Sequence, residues 1–316
     1  MKIDKLIEER CSEWPKELEK QHLGDTIIST NAQKGIRFMI VAMVCFAVQD
    51  GLSRHLAENY NVITTVAIRY VFFIVFVLFY GHFVIGSLKK MASTKNVPLQ
   101  VIRGLILALM SSLAIMSSVR NGLVNFHSIF ASYPLIILAL SAPLLSEHVS
   151  WRQWISVTVG FIGVIFILRP DTSLVNSGSI LAISAAVLMA IYGILTRFAS
   201  KTDDAYTSLF WAATVGGTAM LFLLLFHLDP PKGSDWFWMG ALCVVGAFGH
   251  FLLIKALSTV EAATIQPFAY LQLLFASSIG IYFFNDEFNF IIFIGCALIV
   301  GAGLVSFRIA NKALQN

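Results

Sequence analysis

Ten apolar stretches, separated by short polar breaks, are the feature that most constrains this chain. They cover roughly residues 35–54, 62–83, 99–119, 124–144, 151–168, 178–197, 206–227, 237–257, 262–284 and 289–308. A helix needs about 20 apolar residues to cross roughly 30 Å of hydrocarbon. Because backbone amides in lipid must be bonded internally, each stretch is predicted to be a helix. The sequence therefore predicts an all-α integral membrane protein with ten transmembrane helices, which we number spans 1 to 10.

Composition agrees with a membrane protein and gives no sign of an enzyme. Hydrophobic residues make up 57% of the 316-residue chain and charged residues only 13%, whereas soluble proteins are about 25% charged. The sequence contains no HExxH, GxSxG or P-loop motif, and its four cysteines have no metal-ligand spacing. We therefore expect no catalysis, no metal and no cofactor, and any transport must be driven by a gradient.

The distribution of Lys and Arg predicts the orientation in the membrane. With the N-terminus in the cytoplasm, 17 of the 22 basic residues fall on the cytoplasmic side and four on the other. Both termini are therefore predicted to be cytoplasmic in a multi-pass protein of the inner membrane. Residues 1–33 lack the apolar core of a signal peptide and carry excess acid, which predicts a solvated cytosolic tail.

The number of spans also predicts an internal repeat. Division after span 5 gives residues 34–170 and 178–310, with five helices each. Because five is odd, the two halves must start on opposite sides of the membrane. Inverted repeats recur in secondary transporters, with the substrate site at the repeat interface near the midplane.

Several segments occur in an order and spacing that resemble a known family. An acidic turn lies between spans 4 and 5 at 145–154 (LSEHVSWRQW), followed by 160–170 (GFIGVIFILRP). The second half contains 249–257 (GHFLLIKAL) and 266–273 (QPFAYLQL), and then another acidic turn at Asn285-Asp-Glu. Over about residues 35–308 the chain resembles the drug/metabolite transporter superfamily, specifically bacterial members with two tandem EamA domains.

This resemblance implies a secondary active transporter that moves a small organic metabolite by alternating access. Relatives in the superfamily carry amino acids, riboflavin and S-adenosylmethionine, and the resemblance does not choose among them. It also implies a central cavity lined by spans 1, 3, 4, 6, 8 and 9. The expected partners are the substrate and the lipid bilayer, with protons as a candidate coupling ion and the oligomeric state open. Alternatives from other classes are a non-transporting scaffold or receptor, a channel and a membrane-embedded enzyme; sparse basic residues argue against nucleic-acid binding.

Ionisable residues inside spans are functional candidates, because burying them is costly unless they are paired. At 1.5 Å per residue, Asp50 on span 1 and Arg69 on span 2 lie at similar depths. We predict an ion pair or a shared polar region. Three interpretations of Asp50 stay open: a substrate or proton site, a structural partner of Arg69, or a group that reaches the outer interface.

A second candidate group lies on spans 8 and 9. His250 and Tyr270 share a depth, and Gln266 is one turn before Tyr270 on the same helix face. Pro267 lacks an amide proton and is predicted to break the helix. This group is the predicted part of the translocation site, with a structurally bonded histidine as the alternative.

The first half and span 6 supply weaker candidates. Tyr133 and the helix-breaking Pro134 lie near the middle of span 4, and Gln49 and Tyr192 are further substrate-binding candidates. Three other polar residues are expected near membrane surfaces: an interfacial His127, and Arg103 and Lys255 with side chains reaching the cytoplasmic boundary.

Overall fold

A computed structural model describes residues 33–145, 150–168, 177–260 and 265–315. Every regular element among these residues is helical, and six helices are long and apolar enough to cross a membrane. The predicted N-terminal tail and the acidic turn at 146–149 lie outside the described residues. The helices are Gln33–Ala57, Val62–Phe83, Leu88–Ala92, Val97–Phe130, Tyr133–Leu145, Trp151–Leu168, Ser177–Ala199, Ala205–Leu224, Asp235–Thr259, Tyr270–Phe284 and Phe290–Gln315.

These helices account for the ten predicted spans. Spans 3 and 4 share the continuous stretch from Val97 to Leu145. Spans 5, 9 and 10 contain the shorter apolar helices Trp154–Phe166, Tyr270–Phe284 and Phe290–Ala302. The small helix Leu88–Ala92 joins spans 2 and 3. The prediction of an all-α membrane protein with ten helices is therefore confirmed.

Local sequence signals explain where several spans begin and end. Asn61 caps span 2 by accepting a hydrogen bond from the Ile63 amide, and Asn96 caps span 3 through the Leu99 amide. Asparagine is favoured there because its side-chain oxygen satisfies an amide that has no partner in the first turn. Span 9 ends at Asn285, which adopts a left-handed conformation (φ 53°).

Gly122 separates spans 3 and 4. Its backbone (φ 79°, ψ 160°) is non-helical and lies in a region that a residue with a Cβ rarely adopts. A Cβ at this position would lie 2.8 Å from Asp286 Oδ1, so there is also no room for a side chain in this turn. A single glycine thus replaces a loop between two helices that hydropathy predicts as separate spans.

Both halves contain a helix irregularity within or at the start of their fourth helix. Span 4 is interrupted at Ala131–Ser132, and its helix resumes at Tyr133, directly before Pro134. Proline is tolerated in a first helical turn, where its missing amide costs no hydrogen bond. Span 9 starts as a 3-10 helix, Gln266–Ala269, before the α-helix from Tyr270. The side chains of Gln266 and Pro267 lie outside the described part of the structure.

Helices in corresponding positions of the two halves pack against each other. Span 2 packs on span 7, span 5 on span 10, and span 4 on span 9. Span 3 of the first half also packs on span 7, and its counterpart, span 8 of the second half, packs on span 2. Glycines allow close approach: a Cβ on Gly163 would lie 2.8 Å from the carbonyl oxygen of Gly295. Large apolar side chains such as Val75, Phe79 and Phe293 remain exposed on the outside, as lipid contact requires.

Candidate translocation site

A cavity lies at the centre of the helix bundle. Its walls come from spans 1, 3, 4, 6, 8 and 9, the six implied by the family resemblance, and from Arg69 of span 2. The cavity measures about 40 Å³, room for a few water molecules and far less than a metabolite requires. The lining residues are Phe46, Gln49, Asp50, Arg69, Met110, Ser111, Ala114, Ile115, Phe126, Phe130, Met189, His250 and Gln272.

Asp50 is held in this cavity by a residue from the other half of the chain. Gln272 on span 9 donates a hydrogen bond of 2.8 Å to Asp50 Oδ2. His127 Nε2 lies 3.1 Å from the same oxygen, but outside hydrogen-bond geometry. Asp50 therefore faces the interior, at a point where spans 1, 4 and 9 meet.

Arg69 lines the same cavity as Asp50, but the two are not paired in this conformation. Arg69 is 5% exposed and its guanidinium lies 5.9 Å from the Tyr70 ring. Among the residues that the structure describes, none forms a hydrogen bond or an ion pair with Arg69. The two opposite charges thus share a polar region without neutralising each other directly.

His250 lies between aromatic rings of the first half. Its ring is 4.9 Å from Phe46 and stacks on Phe73 at 5.9 Å. Among the described residues, the buried Nδ1 atom has no hydrogen-bond partner. A Cβ on the adjacent Gly249 would come within 2.9 Å of Phe46, so this glycine lets span 8 approach span 1 closely.

Gln49, another candidate from the sequence, also lines the cavity. Tyr133 and Tyr270 are buried together in the main hydrophobic core, and no residue in the described part of the chain forms a hydrogen bond with the Tyr270 hydroxyl. Tyr192 is fully buried, and its hydroxyl accepts a 3.5 Å hydrogen bond from Arg103. Of the predicted pair, His250 therefore lines this cavity, whereas Tyr270 lies in the hydrophobic core.

Three polar residues have surroundings that the sequence did not indicate. Gln272 was not singled out, although it bonds Asp50. His127 is 1% exposed and lies beside Asp50, so the expectation of an interfacial histidine is wrong. Arg103 is fully buried, where it donates hydrogen bonds to Gln100 and Thr196.

A polar network joins the two halves on the predicted external side. Arg54, near the end of span 1, donates to both oxygens of Asp286 at 2.7 and 2.8 Å. Asp286 belongs to the turn between spans 9 and 10 and also accepts from the Val124 amide at 3.2 Å. The Arg54 guanidinium lies 4.3 Å from the Phe284 ring.

A second network joins the halves on the predicted cytoplasmic side. Asp203, between spans 6 and 7, accepts hydrogen bonds from Gln100 at 2.7 Å, from the Lys95 amide at 3.2 Å and from the Thr94 hydroxyl. Burial acts to raise the pKa of Asp203, but these hydrogen bonds outweigh it and lower the pKa below its ordinary value. The network continues from Gln100 to Arg103.

A bundle of ten membrane helices, with charged and polar side chains in the wall of a central cavity and polar contacts at both ends, is an architecture that suits a membrane transporter. The chain belongs to the EamA-like transporter family, whose model matches it twice, over residues 33–169 and 176–308. A solved crystal structure has the same fold, with a TM-score of 0.68 over 89% of this chain and 98% of the other. Its sequence identity is 15%, so this likeness concerns the fold alone.

Curated relatives are also transporters. The S-adenosylmethionine uptake transporter of Rickettsia prowazekii is 28% identical over 263 residues, which cover 80% of this chain and 85% of the relative. The S-adenosylmethionine uptake transporter of Rickettsia bellii is 25% identical over 298 residues, which cover 89% of this chain and 96% of the relative. A riboflavin transporter of Vibrio cholerae is 28% identical over 141 residues, which cover only 44% of this chain and 47% of the relative. The prediction of a small-metabolite transporter is confirmed.

Proposed function

We propose that this chain is a secondary active carrier that takes up S-adenosylmethionine, or a metabolite of closely similar chemistry, by alternating access. The observation that carries the choice of substrate is the near full-length similarity to S-adenosylmethionine uptake transporters. The similarity to the riboflavin transporter spans less than half of the chain. The central cavity, with both a carboxylate and a guanidinium in its wall, suits a charged metabolite better than a neutral ring system.

Two inverted five-helix repeats, residues 34–170 and 178–310, form the moving parts in this proposal. The double match to the family model and the paired packing of corresponding helices support such repeats. The central cavity is too small for a metabolite, so a substrate enters only when the halves separate at one end. In the proposed cycle the Arg54–Asp286 contact opens for the external side, and the Asp203 network opens for the cytoplasmic side.

The proposed location is the bacterial inner membrane, with the end of the chain that precedes span 1 in the cytoplasm. The excess of Lys and Arg on that side supports this orientation. Asp50, His250, Gln49 and Gln272 are the proposed substrate contacts, because each lines the cavity. Protons remain the proposed coupling ion, since Asp50 and His250 are titratable groups in that wall.

Uptake into proteoliposomes tests the proposed substrate. Vesicles with the purified full chain should accumulate radiolabelled S-adenosylmethionine in a saturable manner, and an inward proton gradient should increase the rate. Excess unlabelled S-adenosylmethionine should abolish uptake, whereas equal riboflavin should not. Uptake no greater than in protein-free vesicles would overturn the substrate assignment, and competition by riboflavin alone would favour the riboflavin alternative.

A further inference from the structure

We propose that the central cavity recognises a zwitterion through two separate charges: Arg69 binds a carboxylate, and Asp50 binds a positively charged amino or sulfonium group. This inference rests on the proposed transport function and adds the substrate chemistry of the site. It assigns to the two residues a joint role in recognition rather than a structural ion pair.

The first argument is the state of Arg69. Its side chain is buried among spans 2 and 8, and it lines both the central cavity and a smaller void beside Tyr70, Phe73 and Gly246. No described residue forms an ion pair or a hydrogen bond with the guanidinium, although Asp50 lies in the same cavity wall. A buried guanidinium without a partner is strongly unfavourable, and arginine suits two-point binding of a carboxylate. The cavity therefore presents a site for an anionic group.

The second argument is the remaining capacity of Asp50. An ionised carboxylate offers about four acceptor positions. Gln272 occupies one on Oδ2, His127 Nε2 lies 3.1 Å from the same atom, and Oδ1 accepts no hydrogen bond from any residue in the described ranges. An amide donor leaves the charge of Asp50 in place, so the carboxylate stays available for a cation in the cavity.

The third argument is the aromatic part of the cavity wall. Phe46, Phe126 and Phe130 line the cavity, and the rings of Phe126 and Phe130 stack with 5.0 Å between centroids. Aromatic faces attract organic cations and stack on planar rings. Opposite charges with an aromatic wall match a molecule that combines a carboxylate, a cationic centre and a ring.

A comparison of two ligands on two variants tests the assignment. The ligands are S-adenosylmethionine and its decarboxylated analogue, which keeps the amino and sulfonium groups and lacks the carboxylate. Binding is measured by competition with labelled S-adenosylmethionine on purified full chain. Wild type should bind the carboxylate-bearing compound about 10- to 100-fold more tightly. Arg69→Gln should lose this preference, whereas Asp50→Asn should weaken both compounds and keep it.

Controls separate recognition from folding. Arg152→Gln and Asp204→Asn change exposed charges away from the cavity and should leave both affinities unchanged. Arg69→Lys should restore part of the preference, because the positive charge returns without the two-point geometry. Thermal unfolding midpoints verify that each variant is folded.

The outcomes distinguish this inference from the proposed function. If wild type binds S-adenosylmethionine but Arg69→Gln weakens both ligands by the same factor, or neither, the carboxylate assignment is wrong and the transport function stands. If wild type binds neither compound, direct binding of labelled methionine is measured, with its decarboxylated amine as the competitor. Binding of neither pair would overturn the zwitterion site together with the proposed substrate.

Discussion

Asp203 shows how single polar residues hold the ends of this bundle together. The carboxylate on the loop after span 6 accepts hydrogen bonds from Gln100, Thr94 and the Lys95 amide, all on the other half of the chain. Hydrogen bonds to an ionised acceptor are stronger than those between neutral groups. The contact thus depends on the charge of Asp203.

The charge of Asp203 makes a pH dependence testable. Because its pKa is lowered in the folded chain, its stabilisation is present above the unfolded value, about 3.9, and is lost as the pH falls through the folded pKa. Asp203→Asn should therefore unfold at a lower temperature than wild type at pH 7, with a smaller difference as pH falls below about 4. Thermal unfolding in detergent measures both. An equal difference at pH 7 and in acid would contradict the role of the charge, and Asp204→Asn serves as the exposed control.

The sequence identifies the charged residues of the cavity, but it does not show which side chains contact them. Hydropathy identifies Asp50 and Arg69 as charges inside spans, and the rise per residue gives their depths. Depth does not specify the direction in which a side chain points around its helix. The pairing of Asp50 with Gln272 across the two halves therefore needed the packed structure, as did the burial of His127 beside it.

At the scale of helices, the spans follow from hydropathy because lipid forces each apolar stretch to satisfy its own backbone. The short break after Arg120 was a weak signal, yet Gly122 is the residue whose conformation separates spans 3 and 4. Which helices pack together is not encoded in hydropathy, since every span is apolar on most faces. Glycines supply part of that information, but only some of them lie where two helices come close together.

Gly163 and Gly301 make the difference between glycines testable. A Cβ on Gly163 would meet the Gly295 carbonyl oxygen at 2.8 Å and Leu298 Cβ at 3.0 Å, whereas one on Gly301 would meet no atom of the described residues within 4 Å. Both alanine substitutions gain similar helix propensity, so their difference isolates the contact between spans 5 and 10. Gly163→Ala should be less stable than Gly301→Ala by about 1–3 kcal/mol. Thermal unfolding of the two variants in one detergent checks this, and equal midpoints would show that spans 5 and 10 are not closely packed at Gly163.

At the scale of the whole molecule, two polar networks join the two halves of the chain at opposite ends, and the cavity lies between them. The network on the predicted external side uses Arg54 and Asp286, and the other uses Asp203 with Gln100 and Arg103. Each consists of a few hydrogen bonds between the two halves. Contacts of this size are compatible with rocking of the halves about the enclosed site.

Counterflow tests the carrier claim most directly, because exchange through a site that faces one side at a time accelerates when substrate is present on both sides. Proteoliposomes with the full chain are loaded with unlabelled S-adenosylmethionine and diluted into a trace of labelled compound, without any ion gradient. The account predicts transient accumulation of label above the outside concentration, absent from vesicles loaded with buffer. Label that only equilibrates, at a rate independent of the internal substrate, would contradict alternating access and indicate a channel.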